Sequence, residues 1–196
     1  GGVSISANNG TSFTNRTTAS GLVSNDTRGI FLTGSRLFIA TPAGLSISTD
    51  GGITFVNRTT AAGLGSNNVR NAYANGTTVW VGTSNGLAYS TNSGTSFTNI
   101  TTTNELAHVS NFGVAVSGNY VYAATAAGLS FSTNGGTSFV TKTTAQGLGN
   151  NLCVAVSATG SKVYVATANG VSMSTNNGTT WANITTSNGL PSNSIY

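Results

Sequence analysis

Glu105 and His108 lie three residues apart, the one place in this chain of 196 residues where a carboxylate and an imidazole are sequence neighbours. Such a pair can pass a proton in general acid–base catalysis. Glu105 is the only glutamate and His108 the only histidine, and the acids number three with Asp26 and Asp50. Glycoside hydrolysis uses two carboxylates about 5–10 Å apart. Asp50 stands in a turn sequence, which leaves only Asp26 to join Glu105. A Ser-His-Asp set would need His108 beside Asp26 or Asp50 with a poised serine, and nothing in the spacing supplies it. One histidine, one cysteine and three dispersed acids form no ligand cluster, so neither a metal nor a cofactor is expected. Gly51-Gly52 and Gly135-Gly136 fall between strand-like runs with no helix to follow, and read as turns rather than phosphate loops. The acid–base reading of Glu105 and His108 thus stands beside a surface-loop reading, which we favour, and no catalytic residue is assigned.

Composition points the same way. Charged residues make up 5% of the chain, against about a quarter in ordinary globular domains, and Ser, Thr, Asn and Gly replace them. The net charge of +4 reflects missing acids. Arg16, Arg28, Arg36, Arg58, Arg70, Lys142 and Lys162 are scattered, so nucleic acid is not an expected partner. No run approaches the roughly 20 apolar residues of a membrane span. The chain opens on Gly1-Gly2, which suggests a removed signal or an excised segment, and the low-charge composition suggests an extracellular or cell-surface location. Cys153 has no partner for an internal disulfide; it reads as a small packed or half-exposed residue, with an intermolecular bridge as the alternative.

The elements that must position these residues are set by a repeat. A Gly-Leu-Ser-x tetrad begins at Gly2, Gly44, Gly86, Gly128 and Gly170, a period of 42 residues without insertion. Periods of this size denote units that must stack to bury their apolar faces. Each unit carries four strand-like runs bounded by glycines: A at 28–33, 70–74 and 112–116; B at 37–41, 79–83, 121–125 and 163–167; C opening at 44, 86, 128 and 170; D at 54–56, 96–98, 138–140 and 180–182. No window has helical periodicity. The expected fold is all-β, a β-propeller of four-stranded antiparallel blades, with a parallel β-helix as the competitor that the repeat length disfavours. We expect one domain over 1–196: a C–D hairpin at 1–21, full repeats at 22–63, 64–105, 106–147 and 148–189, and the start of a further strand at 190–196.

The C–D turn is the most specific motif. Ser48-Thr49-Asp50-Gly51-Gly52-Ile53-Thr54-Phe55 recurs with Asn8, Gly10 and Phe13; Asn92, Gly94 and Phe97; Asn134, Gly136 and Phe139; and Asn176, Gly178 and Trp181 at the positions of Asp50, Gly52 and Phe55. An Asx side chain bonds backbone two residues on, glycine supplies a positive φ, and the aromatic is expected to pin the turn to the sheet. These lines resemble the Asp-box, the Ser-x-Asp-x-Gly-x-Thr-Trp hairpin found once per blade in sialidase-like, sortilin-like and photosystem assembly-factor propellers. Asn replaces Asp in four copies. The resemblance implies a fold and no activity, because the box is structural in that family. Sialidase chemistry would require three arginines around a carboxylate, a tyrosine–glutamate pair and an acidic proton donor, which this chain cannot assemble.

Asn15, Asn57, Asn99 and Asn183 begin sequons at one repeat phase just after strand D and are candidate glycosylation sites, although a chain this rich in Asn, Ser and Thr produces sequons by chance. Residue 1 falls just before a C strand, so the units read as four whole blades plus an outer hairpin. Three readings follow: a fragment of a longer array, strands supplied by a neighbouring copy, or a ring that tolerates a short blade. The expected function is a non-catalytic extracellular scaffold that associates with copies of itself as a surface or filament subunit. The alternatives are a glycan-binding propeller and a protein-binding one. Trp80 and Trp181, at positions expected to pack, weaken the glycan reading.

Overall fold

The structure is a computed structural model that describes residues 1–195. It is all-β and has the blade construction of a β-propeller. Among the described residues there is one two-stranded sheet and there are four four-stranded sheets, all antiparallel meanders. The first sheet pairs β1 (Val3–Ile5) with β2 (Thr14–Arg16). The second runs β3 (Gly29–Thr33), β4 (Arg36–Thr41), β5 (Gly44–Ser48), β6 (Val56–Arg58), and the third β7 (Val69–Asn75), β8 (Thr78–Thr83), β9 (Gly86–Ser90), β10 (Thr98–Ile100). The fourth runs β11 (Asn111–Ser117), β12 (Tyr120–Thr125), β13 (Gly128–Ser132), β14 (Val140–Lys142), and the fifth β15 (Cys153–Thr159), β16 (Lys162–Thr167), β17 (Gly170–Ser174), β18 (Ala182–Ile184).

Short β-branched and aromatic runs between glycines form strands because their side chains pack well on a pleated surface. The register repeats with the sequence: Phe38 lies opposite Ile47 and Tyr122 opposite Phe131. A bulge at the start of β7, β11 and β15 adds one residue to each, whereas β3 pairs without one.

The chain clusters into two compact units, Gly1–Thr83 with Ala88–Asn99, and Ser84–Leu87 with the chain from Ile100 onward. In the first unit, Phe38, Ala40, Leu45 and Ile47 on one face of the second sheet pack against Leu64, Val69, Ala72, Ala74, Val79 and Phe97. In the second unit, Tyr122, Ala124, Leu129 and Phe131 pack against Leu148, Cys153, Val163 and Val165. Each fully buried side chain of this kind contributes about 1.5–3 kcal/mol.

Three expectations are corrected. Strand D begins two residues later than expected, at Val56, Thr98, Val140 and Ala182, so Phe55, Phe97, Phe139 and Trp181 precede the strand. The reason is packing on the preceding repeat: the Phe97 amide donates to the Ala62 carbonyl at 2.8 Å, and Trp181 packs beside Gly147. Phe13 is the exception among the turn aromatics and is 63% exposed. Single 3₁₀ turns, which the sequence reading missed, follow every D strand at Thr18–Ser20, Thr60–Ala62, Thr102–Asn104, Thr144–Gln146 and Thr186–Asn188. Of the strand start expected at 190–196, residues 190–195 carry no strand, and Tyr196 lies outside the described residues.

Candidate functional site

Each C–D turn is built around a serine hydroxyl and an Asx side chain. Ser48 Oγ donates to Asp50 Oδ1 at 2.7 Å and accepts from the amides of Asp50 and Gly52 at 3.3 and 2.8 Å. Asp50 Oδ1 accepts from the amides of Ile53 and Thr54, each at 3.0 Å, and Oδ2 accepts from the Thr54 hydroxyl. In the other four turns the side-chain oxygen of Asn8, Asn92, Asn134 and Asn176 accepts from the matching amide four residues on. Their Nδ2 donates to the hydroxyl of Ser12, Ser96, Ser138 and Thr180 at 2.8–2.9 Å. The hydroxyl therefore donates to Asp but accepts from Asn, and the same loop forms with either. The amides of Gly10, Gly52, Gly94, Gly136 and Gly178 all donate to the leading serine of their turn.

The exception at Asp50 has a pH signature. Hydrogen bonds from the Thr54 hydroxyl, the Thr54 amide and the Ser48 hydroxyl hold its carboxyl well below the usual carboxylate range. A carboxyl depressed in the fold stabilises it above its unfolded pKa, about 4, and that contribution is lost as pH falls from there toward the folded value. Asp50→Asn makes this turn like its four sisters. The melting temperature of the parent should therefore fall relative to D50N as pH drops from 5 to 2; parallel curves would show that the carboxylate contributes nothing beyond the amide.

The candidate glycan acceptors tie strands to loops. Ser46 Oγ, buried in β5, donates to Asn57 Oδ1 at 2.7 Å, and Asn57 Nδ2 donates to the Gly21 carbonyl at 3.0 Å. Asn183 repeats this arrangement between Ser172 and the Gly147 carbonyl. Asn15 Oδ1 accepts from Ser4 Oγ at 2.7 Å, and Asn99 is half-buried on β10. At Asn57 and Asn183 the nitrogen that would carry a glycan is already engaged with backbone.

The chemistry-bearing residues each have a structural partner or place of their own. Glu105 Oε2 accepts from the Phe139 amide at 3.1 Å, standing in for the backbone carbonyl that Ala62 offers Phe97. His108 Nδ1 accepts from the Ser110 amide at 2.9 Å. Ser24, Ser66, Asn150 and Ser192 accept at the same repeat phase, so His108 is a turn-forming acceptor in that series. Asp26 forms an exposed pair with Arg28 at 3.8 Å, a type worth about 0–1 kcal/mol. Arg16 and Arg58 each donate through Nε to the carbonyl of the next repeat's turn glycine, Gly52 and Gly94, at 2.7 Å. Cys153 is fully buried, and burial pushes its thiol up to about 12, so it is packed rather than half-exposed. Among the described residues no three His, Cys, Asp or Glu side chains gather where they could hold a metal. No described helix is long and apolar enough to cross a membrane.

Sequence reasoning also missed an asparagine clip. Asn25, Asn67, Asn151 and Asn193 accept through Oδ1 from the amides of Thr18, Thr60, Thr144 and Thr186, closing the 3₁₀ turn from seven residues away. The Gly-Leu-x-Ser/Asn-Asn segment that follows four of the five turns carried the signal.

The surface departs from the repeat beside β1, which pairs with β2 alone. There Val3, Ile5, Ile30, Leu32 and Leu37 line an open groove of about 460 Å³. Ile30 and Leu32 are 57% and 62% exposed, whereas Ala72 and Ala74, one repeat on, are buried. In the second unit, Tyr164 on β16 is 37% exposed, whereas Tyr122 at the same position of β12 is fully buried.

No protein-family model matches this chain, and no curated protein does. Solved structures do. The chain is similar to an ancestral GH74 enzyme (TM-score 0.65, 23% identity, 81% of this chain and 24% of that one). It is similar to the extracellular domain of a protein described as a hybrid two-component system from B. thetaiotaomicron (TM-score 0.70, 19% identity, 87% and 24%). It is also similar to YCF48 bound to a D1 peptide (TM-score 0.59, 17% identity, 90% and 58%). These are propeller-type proteins with repeated four-stranded sheets. The chain spans about a quarter of the first two and 58% of the third, and the likeness is one of fold. Enzymes, a peptide binder and an extracellular domain share that fold, so the fold alone selects no activity.

Proposed function

We propose that this chain is a non-catalytic, extracellular or cell-surface propeller scaffold that associates with copies of itself. The observation that carries the reading is apolar surface exposed on the outer strands of complete sheets: Val56 on β6 and Val140 on β14, at one repeat phase. An outer edge strand with an exposed valine offers both backbone and apolar contact to another copy. A heterologous contact between copies propagates into open assemblies when it does not close.

The absence of a catalytic role is supported by the engagement of Glu105 and His108 with backbone amides rather than with each other. The hydroxyl–Asx network of the turns supports the Asp-box reading of the repeat, in which the box is structural. Glycans are the weaker partner, since Trp80 is buried and Trp181 packs on the core of its unit. Nucleic acid and membrane insertion are not part of the proposal. The extracellular location is supported by the low-charge surface and by the extracellular domain among the fold neighbours.

Size-exclusion chromatography with light scattering across a hundredfold range of concentration tests the reading. Masses rising in multiples of 19.6 kDa are expected. A 19.6 kDa species at every concentration would sink it.

A further inference from the structure

We infer that Asn75 is a self-modification site, at which the folded chain loses ammonia and acquires a carboxylate, while the other asparagines followed by glycine are protected by the fold. The reaction consumes only water, and it stands apart from the self-association reading.

An asparagine followed by glycine is the pair best suited to cyclise. The backbone nitrogen of the glycine attacks the side-chain carbonyl carbon of the asparagine and gives up its proton, and the bond from that carbon to the side-chain nitrogen breaks to release ammonia. Water then opens the cyclic imide at either carbonyl, leaving aspartate or isoaspartate, so that asparagine and water become acid and ammonia. Glycine favours the step because no Cβ stands in the way of the approach. Seven such pairs occur, beginning at Asn9, Asn75, Asn85, Asn134, Asn169, Asn177 and Asn188.

The fold separates them by what the glycine amide does. The attacking nitrogen must turn toward the side chain, and an amide that already donates has to give up that bond first. The amides of Gly10 and Gly178 donate to the hydroxyls of Ser6 and Ser174 at 2.8 and 2.9 Å. Those of Gly86, Gly135, Gly170 and Gly189 donate to the carbonyls of Val109, Asn119, Asn193 and Thr186 at 2.6–3.2 Å. Asn134, Asn169 and Asn188 are also held through their own side chains, by the Ser138 amide, the Gly149 carbonyl and the Thr185 amide. Among the described residues, neither the Asn75 side chain nor the Gly76 amide has a hydrogen-bond partner. Asn75 ends β7, exposed, at a two-residue turn in which Gly76 takes φ +57°. A Cβ at Gly76 would meet nothing within 4 Å, so the turn has room to rearrange. The sister hairpins carry Thr33, Ser117 and Thr159 here, which confines the site to one repeat. The product changes an existing contact: Arg36 donates to the carbonyls of Gly76 and Ser93, tying the second sheet to the third. A carboxylate one residue before Gly76 gives that guanidinium a charged neighbour and lowers the net charge by one from +4. Isoaspartate instead adds a carbon to the backbone, which takes the pairing of Asn75 with Thr78 out of register.

The test incubates the folded full chain at mildly alkaline pH and measures the acid formed at each asparagine–glycine pair by mass spectrometry of peptic peptides, the acidic digestion halting the reaction. Conversion at Asn75 is expected to run at least tenfold faster than at any of the other pairs. In urea, where every glycine amide is released, that lead should vanish. The Asn75→Gln chain, altered at an exposed position and carrying a side chain that cyclises far more slowly, should lose the fast release of ammonia while its far-ultraviolet circular dichroism matches the parent. Conversion at Asn75 no faster than at the other pairs of the folded chain, a lead that persists in urea, or parent-like ammonia release from folded Asn75→Gln would overturn the inference.

Discussion

Tyr122→Ala should lower the unfolding free energy by about 3–5 kcal/mol, whereas Tyr164→Ala, at the same repeat position, should lower it by about 1–2 kcal/mol. Tyr122 is fully buried in the core of its unit, with its ring 5.3 Å from Phe131 and its hydroxyl donating to the Asn177 carbonyl at 3.3 Å. Truncation there loses the transfer energy of a whole aromatic, leaves a cavity and strands a carbonyl. Tyr164 keeps 37% of its surface in contact with solvent, so its ring has less burial to lose. Urea unfolding of the two variants with a common m-value checks the contrast. Equal losses would mean that the Tyr164 face is covered in solution, and a higher assembly state would then have to appear beside it.

Gly63→Ala should cost about 3 kcal/mol or more, and Gly189→Ala about 1 kcal/mol. The two glycines close equivalent 3₁₀ turns with φ of +95° and +97°, so an alanine meets the same left-handed strain at both. They differ in what the new methyl meets. At Gly63 an ideal Cβ falls 2.0 Å from the Phe97 carbonyl oxygen, while at Gly189 nothing lies within 4 Å. Relief at Gly63 must move the segment whose amide donates to Ala62, and so must loosen the contact between two repeats. Denaturation midpoints read the difference; equal costs would show that strain alone is at work. Glu105 occupies the same phase with φ +71°, the one natural departure from glycine, and its carboxylate reaches the Phe139 amide.

Much of the fold was legible because the repeat is reported five times. Strands B and C fell where Gly-bounded β-branched runs placed them, and the Ser-x-Asx-x-Gly turn formed the bonds that its residue types dictate. Strand D was misplaced because Phe97 and Trp181 answer to the preceding repeat rather than to their own strand, a tertiary demand that period-two alternation cannot encode. The 3₁₀ turns escaped notice because three residues carry no periodicity; the asparagine seven residues on, as in Thr60 and Asn67, was the readable sign. Glu105 and His108 were legible only as departures from the repeat. Their partners, Phe139 and Ser110, are backbone amides, which sequence does not mark.

The exposure of Ile30 and Leu32 also lay beyond sequence reading, since the same positions hold buried alanines one repeat later. The functional account rests instead on Val56 and Val140, exposed on outer strands of complete sheets. Sedimentation equilibrium of the parent beside the double variant Val56→Asp, Val140→Asp tests it most directly. The account predicts a parent whose mean mass climbs with concentration above 19.6 kDa and a folded variant that stays at that mass. A parent and variant with the same mass at every concentration would contradict it.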